Sequence, residues 1–343
     1  MNKQIGLLQT ASLLQRLGLV LAAAAFISAW GSGFLVAKIG TVDVPFLTLL
    51  VWRFLPLAVV LLAVSAARGD FRRLDLRGLR RQAGIGLLGQ FGYCVSVYAA
   101  IALGVASGTT ALIDAVQPIV VATLVGPVLG LRVRGAQWLG LAVGTVGAVM
   151  VVSSQAADVD TGVTAYLLPL LAMAFLIVGT FVDRRWPSTL PVLTTLTVHV
   201  GVTAAALLAV SLLTGTFWPP FEAGFWMAAV FAAAVPTVVG YGLYWWLLRR
   251  VGVTVLNALL FLVAPATAVA GTALFDEPLT GVTLAGFALC AAGVALVLLS
   301  EHRAGPSASP QASLTEGPAR TNRAGNQAVL AEQEAFTGRD GRH

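Results

Sequence analysis

The sequence predicts an all-α membrane protein with ten transmembrane helices in two inverted five-helix repeats. Three observations carry that prediction. Of the 343 residues, 58% are apolar and only 10% are charged, against about 25% charged in a soluble domain. The apolar residues fall into runs of about 20, the length that crosses a bilayer as a helix. The basic residues between the runs alternate, being frequent in every second connection and nearly absent from the others.

The runs lie at about 18–37, 45–67, 83–103, 106–130, 135–152, 163–182, 190–213, 224–247, 253–274 and 280–300. They are far longer than the roughly 9–11 residues of a membrane barrel strand, and they do not alternate, so a barrel is excluded. Lys3 and Arg16 before the first run mimic a signal peptide. The run ends in Lys38-Ile39-Gly40 without a small-x-small cleavage site, so it reads as an uncleaved first helix.

Basic residues set the orientation. With the N-terminus cytoplasmic, fourteen Lys and Arg fall inside before the tail: Lys3, Arg16, Arg68, Arg72, Arg73, Arg77, Arg80, Arg81, Arg132, Arg134, Arg184, Arg185, Arg249 and Arg250. Outside there is one, Lys38, among the acids Asp43, Asp158, Asp160, Glu222, Asp276 and Glu277. Missing or adding a helix would scramble this alternation. Residues 1–16 are then a cytoplasmic N-terminus. Residues 301–343, rich in Ala, Gly, Pro, Ser and charge, are expected to form a disordered cytoplasmic tail.

The two halves resemble each other. Ser107–Val152 and Thr254–Leu298 align Ser107 with Thr254, Ala111 with Ala258, Leu112 with Leu259 and Pro118 with Pro265. After a one-residue gap, Gly140 aligns with Gly286 and Gly147 with Gly293. Five helices is an odd number, so the second repeat enters the membrane from the opposite side. That plan belongs to secondary transporters, which place the solute near the midplane between the halves.

These residues resemble the EamA-type carriers of the drug/metabolite transporter superfamily. The resemblance spans about 17–300 and rests on Trp30-Gly31-Ser32, Lys38, Pro45-Phe46, Arg53-Phe54, Tyr98, Pro118, Gly140 and Gly147. In the second half it rests on Pro265, Phe275-Asp276-Glu277-Pro278-Leu279-Thr280, Gly286 and Gly293. Leu131, or Gly130, stands where the family usually has Glu in its first repeat, so that residue's role is not carried over. The resemblance implies one repeat over 17–152, a second over 153–300, and transport across the plasma membrane, often export of amino acids, metabolites or toxic compounds.

Other functions lack their chemistry. There is no basic stripe interleaved with exposed aromatics, which argues against nucleic acid. Cys94 and Cys290 sit in apolar runs without a CxxC or Cys/His cluster, so neither a disulfide framework nor a metal site is indicated. No Walker loop, HExxH, GxSxG or paired-carboxylate motif appears. The chain is therefore read as a non-enzyme without cofactors. Its partners would be a small-molecule solute and the lipid bilayer, with protons as a coupling ion and oligomerisation left open.

Polar residues inside the runs are the candidate site. Asp114 is the only acid within a predicted span, at a cost of about 2.5–3.5 kcal/mol unless it has a cavity, a partner or a proton. Ser107, Thr110, Asp114 and Gln117 share one helix face. Arg53, the only deeply placed cation, lies at the same depth as Asp114, about 12 Å below the outer boundary. An ion pair in one conformation, broken by substrate or proton in another, is the functional expectation; a static brace is the alternative. Gln90, Tyr93 and Ser96 form a second face. Thr237, Tyr241 and Tyr244 form a third, and Thr254, Asn257 and Phe261 a fourth. Each suits either a solute cavity or interhelical hydrogen bonds. Trp30 and Tyr241 are placed to stack on a planar solute. His199 suits proton relay or a neutral hydrogen-bonded core role. Trp218, Trp226, Trp245 and Trp246 read as an interfacial belt. Gly126/Gly130 and Gly140/Gly144 have small-xxx-small spacing.

The function expected is secondary transport of small organic solutes by alternating access, outward, with amino acids or related metabolites as first substrate class. Efflux of cationic or amphipathic drugs is the second. A membrane scaffold or sensor without a transport cycle is the alternative of another class.

Overall fold

A computed structural model describes residues 2–41, 43–70, 75–105, 107–130, 133, 135–153, 163–188, 190–275 and 280–302. The expected tail beyond 302, the acids Asp158 and Asp160, and junction residues 276–279 lie outside the described residues, as does the side chain of Ser107.

Every regular element among the described residues is helical. In chain order they are α1 (Asn2–Gly40), α2 (Phe46–Ala67), α3 (Leu76–Gly86), α4 (Tyr93–Ala102), α5 (Ser107–Leu129), α6 (Gly135–Ser153) and α7 (Leu167–Arg185). There follow α8 (Val192–Leu213), α9 (Ala223–Ala232), α10 (Gly242–Leu260), α11 (Val263–Phe275) and α12 (Gly281–His302). Wider π turns join α3 to α4 (Leu87–Gly92) and α9 to α10 (Ala233–Tyr241). Among the described residues, seven continuous helical stretches are long and apolar enough to cross a membrane. Gln117–Leu129 of α5, Gly135–Met150 of α6 and Val263–Leu274 of α11 are further apolar stretches of these helices. Met1–Leu298 forms one compact unit. Of Leu299–His343, only the end of α12 is described.

Several boundaries differ from those expected. α1 runs back to Asn2 rather than starting near 18. The eighth predicted run does not end at 247. It runs on to Gly252, whose backbone leaves helical geometry (φ 83°, a left-handed value that suits a residue without Cβ); the next helical stretch starts at Val253, where the ninth run was expected to begin, and is interrupted by a turn at Phe261–Leu262.

Local chemistry explains the joints. Pro45 and Pro191 precede α2 and α8, where their missing N–H costs nothing. Asp75 caps α3 by accepting the Gly78 N–H at 3.1 Å. Pro236 has no N–H for the Ala232 carbonyl one turn back, and the Thr237 hydroxyl donates to that carbonyl instead, at 2.8 Å. The π turn here follows from that substitution of a side-chain donor for a backbone one.

Glycines let helices approach closely. A Cβ at Gly140 would lie 2.7 Å from the Gly293 carbonyl oxygen, and one at Gly147 would lie 2.6 Å from the Cys290 nitrogen. The partner of the Gly140/Gly144 stripe is therefore α12. Gly126/Gly130 is not a matching pair: Gly130 ends α5 with φ +69° and has open space where a Cβ would stand. Nor is Trp245 part of an interfacial belt. It is fully buried, edge-on to His199, whereas Trp218 is 82% exposed.

Candidate functional site

The site is built around Trp30 of α1. Its indole stacks on Tyr244 (centroids 5.2 Å apart, planes 23° apart) and meets Tyr241 at 5.1 Å, Phe26 at 5.5 Å and Tyr93 at 5.7 Å. All five rings are buried. Such contacts add about 0.5–1.5 kcal/mol per pair beyond area burial, and they fix ring orientation. The two π turns place the tyrosines: Tyr93 follows the first and Tyr241 ends the second. The wider turn rotates the side chains after it away from the register of a straight helix.

Charge sits on two sides of this cluster. Asp114 of α5 accepts the Tyr93 hydroxyl proton at 2.6 Å. Arg53 of α2 donates from Nε to the Thr237 hydroxyl at 2.8 Å and from a terminal nitrogen to the Tyr98 hydroxyl at 2.9 Å. Its guanidinium carbon lies 4.8 Å from the Phe54 ring centroid. The Arg53–Asp114 ion pair expected from equal depth is not formed. Each charge is held by hydroxyl groups from neighbouring helices, which satisfies part of its hydrogen bonding without neutralising it. Cys94 is a buried core residue whose sulfur lies 3.4 Å from the Tyr241 hydroxyl.

Between them lies a cavity of about 30 Å³ lined by Trp30, Arg53, Tyr93, Tyr98, Pro236 and Tyr241, with Gly33, Phe34, Cys94 and Val97. That is room for a water-sized body. A larger solute requires the rings to part.

The other candidates lie around this centre. Gln117 donates to Asn257 at 3.1 Å, joining α5 to α10, and Asn257 donates back to the Val253 carbonyl at 2.8 Å. Gln90, in the first π turn, is fully buried. Thr203 lies 3.5 Å from its carbonyl oxygen, and its amide nitrogen has no partner. His199 is not beside Asp114. It lies 2.9 Å from the Gln82 carbonyl oxygen, and the Gln82 amide donates to Asp183 at 3.2 Å. Asp183, 3% exposed, is a second buried acid that lay just outside the predicted spans: α7 runs three residues past the predicted end of its span at 182.

Tyr98, bonded to Arg53, and Gln82 and Asp183, grouped with His199, were not among the residues expected at a site. Tyr244 and Thr237 were visible as a helix face. Gln82 and Asp183 carried a weaker signal, polar residues one or two positions outside predicted span ends.

The profile of the EamA-like transporter family matches the chain twice, over residues 16–153 and 163–299. The chain belongs to this family. It is a multi-pass membrane transporter protein. Among relatives of this EamA-like chain is a "Probable amino-acid metabolite efflux pump" of Salmonella typhimurium, 26% identical over 281 residues, covering 77% of this chain and 89% of the relative. The "Uncharacterized inner membrane transporter YedA" of Escherichia coli K12 is 27% identical over 280 residues, covering 80% and 88%. A solved crystal structure at 22% identity superposes with a TM-score of 0.66 over 81% of this chain and 96% of that one, which shows a shared fold.

Proposed function

We propose that this EamA-like chain is a secondary carrier exporting amino acids or related metabolites across the bacterial inner membrane by alternating access. One observation carries the reading. A buried cation, Arg53, and a buried acid, Asp114, flank one aromatic cluster and are not spent on each other. A zwitterion needs both: a guanidinium for its carboxylate and a carboxylate for its ammonium. Trp30, Tyr93 and Tyr241 supply the apolar wall. Arg53 and Asp114, with Trp30, Tyr93 and Tyr241, form the solute site. Gln90, Gln117, Asn257 and His199 position the helices around it.

The architecture proposed is ten spans in two inverted five-helix repeats, 17–152 and 153–300, with both termini cytoplasmic. The apolar helices α5 and α6 in the first repeat and α11 in the second complete the count. Non-helical Gly252 separates the eighth span from the ninth, and the turn at Phe261–Leu262 lies within the ninth. The two-fold family match and the paired π turns support this plan. Proton coupling runs through Asp114: a proton on its carboxyl frees the ammonium site, and deprotonation restores it.

A second reading, efflux of organic cations, is favoured by the rings around Asp114, since aromatic faces also bind cations.

The test is flux in vesicles carrying wild type, Asp114→Asn or Arg53→Lys, with labelled amino acids and cationic dyes, with and without an imposed proton gradient. Gradient-driven amino-acid flux is expected to fall at least about tenfold in Asp114→Asn, a change of about 1.4 kcal/mol in barrier or more. Arg53→Lys is expected to raise the KM for amino acids and not for cationic dyes. Amino-acid flux unchanged in both variants would overturn the reading. Dye flux alone would favour the second.

A further inference from the structure

Asp183 is buried, ionisable and unused by the transport site. Its surroundings are unusual for a permanent carboxylate. It lies in the last turn of α7, where the helix carbonyls present partial negative charge and an anion is disfavoured. Its hydrogen bond is from a neutral amide, Gln82 of α3. Arg81, Arg184 and Arg249 surround it, but among the described residues none closes to ion-pair distance. Arg249 of α10 is committed to the Leu190 carbonyl at 2.6 Å and the Thr195 hydroxyl at 2.9 Å. Arg184 reaches the Leu248 carbonyl at 3.4 Å. The Arg81 Nε has no partner.

The neighbours orient one another. The carboxylate accepts only, so the Gln82 amide nitrogen faces Asp183 and the Gln82 oxygen faces His199. His199 of α8 therefore carries its proton on Nε2 and donates it to Gln82. Its Nδ1 is a bare lone pair without a partner. The carboxylate of α7 is thus hydrogen-bonded by a neutral amide of α3, itself held by His199 of α8, with Arg184 and Arg249 nearby bonded elsewhere. The arrangement leaves its charge free to change.

A link to the central site is present. The hydroxyl of Tyr244, whose ring stacks on Trp30, lies 2.6 Å from that of Thr180, one turn before Asp183 on α7. Thr180 spends its own proton on the Leu176 carbonyl at 2.7 Å, so Tyr244 is the donor between them.

We propose that Asp183 is a second proton-binding carboxylate of this protein, separate from Asp114, with Gln82 and His199 as its positioning residues. Binding is a simple addition: one proton joins a carboxylate oxygen, and the Gln82 amide continues to donate to the other oxygen. The use of that proton in a transport cycle rests on the carrier reading above; the binding does not.

The test uses protons as the only ligand. Infrared spectra of the full purified chain are recorded across the pH range in which it stays folded, for wild type, Asp114→Asn, Asp183→Asn and Asp183→Glu, with helix content checked for each. A protonated-carboxyl band that grows on acidification is expected in wild type and in Asp114→Asn. The component of that band present in Asp114→Asn is lost in Asp183→Asn, where the Asp114 component remains, and it returns at a different frequency in Asp183→Glu. His199→Phe and Gln82→Leu are expected to move the titration of that band without removing it, an effect that loss of packing alone would not give. Tyr244→Phe is expected to shift the carboxyl bands of both Asp114 and Asp183. A spectrum in which Asp183→Asn removes no titrating band overturns the proposal. Because no solute is present, that result leaves the carrier reading standing, and a failed flux assay leaves this one standing.

Discussion

The stretches Leu76–Ala102 and Ala223–Leu260 reach a similar backbone shape by different chemistry. Each begins as an α-helix, widens into a π turn about ten residues in, and continues as an α-helix that carries site tyrosines. In the second, proline does the work: Pro236 removes a donor, and Thr237 satisfies the carbonyl left behind. In the first there is no proline. Its sequence through the turn is Leu-Leu-Gly-Gln-Phe-Gly, and the glycines lie against neighbouring helices. A Cβ at Gly86 would stand 2.8 Å from the His199 Cα, and one at Gly92 would stand 2.6 Å from the Phe175 ring. One π turn follows from a local defect in hydrogen bonding, and the other accompanies close packing. The wide turn therefore belongs to the position in the bundle rather than to a residue type.

Three substitutions test that contrast. Gly92→Leu has the largest expected effect, because the ring of Phe175 occupies the space and overpacking costs about 1–3 kcal/mol. The thermal midpoint in detergent should fall by several degrees, and a wild-type midpoint would show that the first turn does not depend on packing. Thr237→Val comes next. It removes the hydroxyl that donates to the Ala232 carbonyl and accepts from the Arg53 Nε, at about 1–3 kcal/mol for the buried guanidinium nitrogen left unsatisfied. The double variant Pro236→Ala, Thr237→Val restores a backbone N–H for Ala232. It should recover part of that loss, so strict additivity of the two substitutions would refute the donor-exchange account. Gln117→Leu has the smallest expected effect. It breaks the bond to Asn257 but also removes a carbonyl oxygen that has no partner, so the midpoint should move by under about 1 kcal/mol equivalent.

Much of the molecule was legible in the chain. Trp30, Arg53, Tyr93, Asp114 and Tyr241 stood out because a polar or aromatic group within an apolar run has few inexpensive explanations. The structure brings all five to one cavity wall or its immediate hydrogen bonds. Their pairing was not legible. Equal depth on two helices suggested that Arg53 and Asp114 meet. Depth along the bilayer is one coordinate of three, and rotation of each helix about its axis sends one charge to Tyr98 and the other to Tyr93. His199 shows the same limit. Asp183 and Gln82 lie 16 and 117 residues away in sequence, and no periodicity links them to it.

Composition and periodicity alone determined that this is an all-helical membrane protein with charged groups buried in its bundle. The physical reason is that lipid leaves a backbone no partner but itself and makes every buried charge conspicuous. Only the tertiary structure decided which hydroxyl holds which charge, where two helices widen, and that a second acid sits apart from the first. Those outcomes depend on helix rotation and on contacts between residues distant in sequence, which are set by packing of the whole bundle and not by any local pattern.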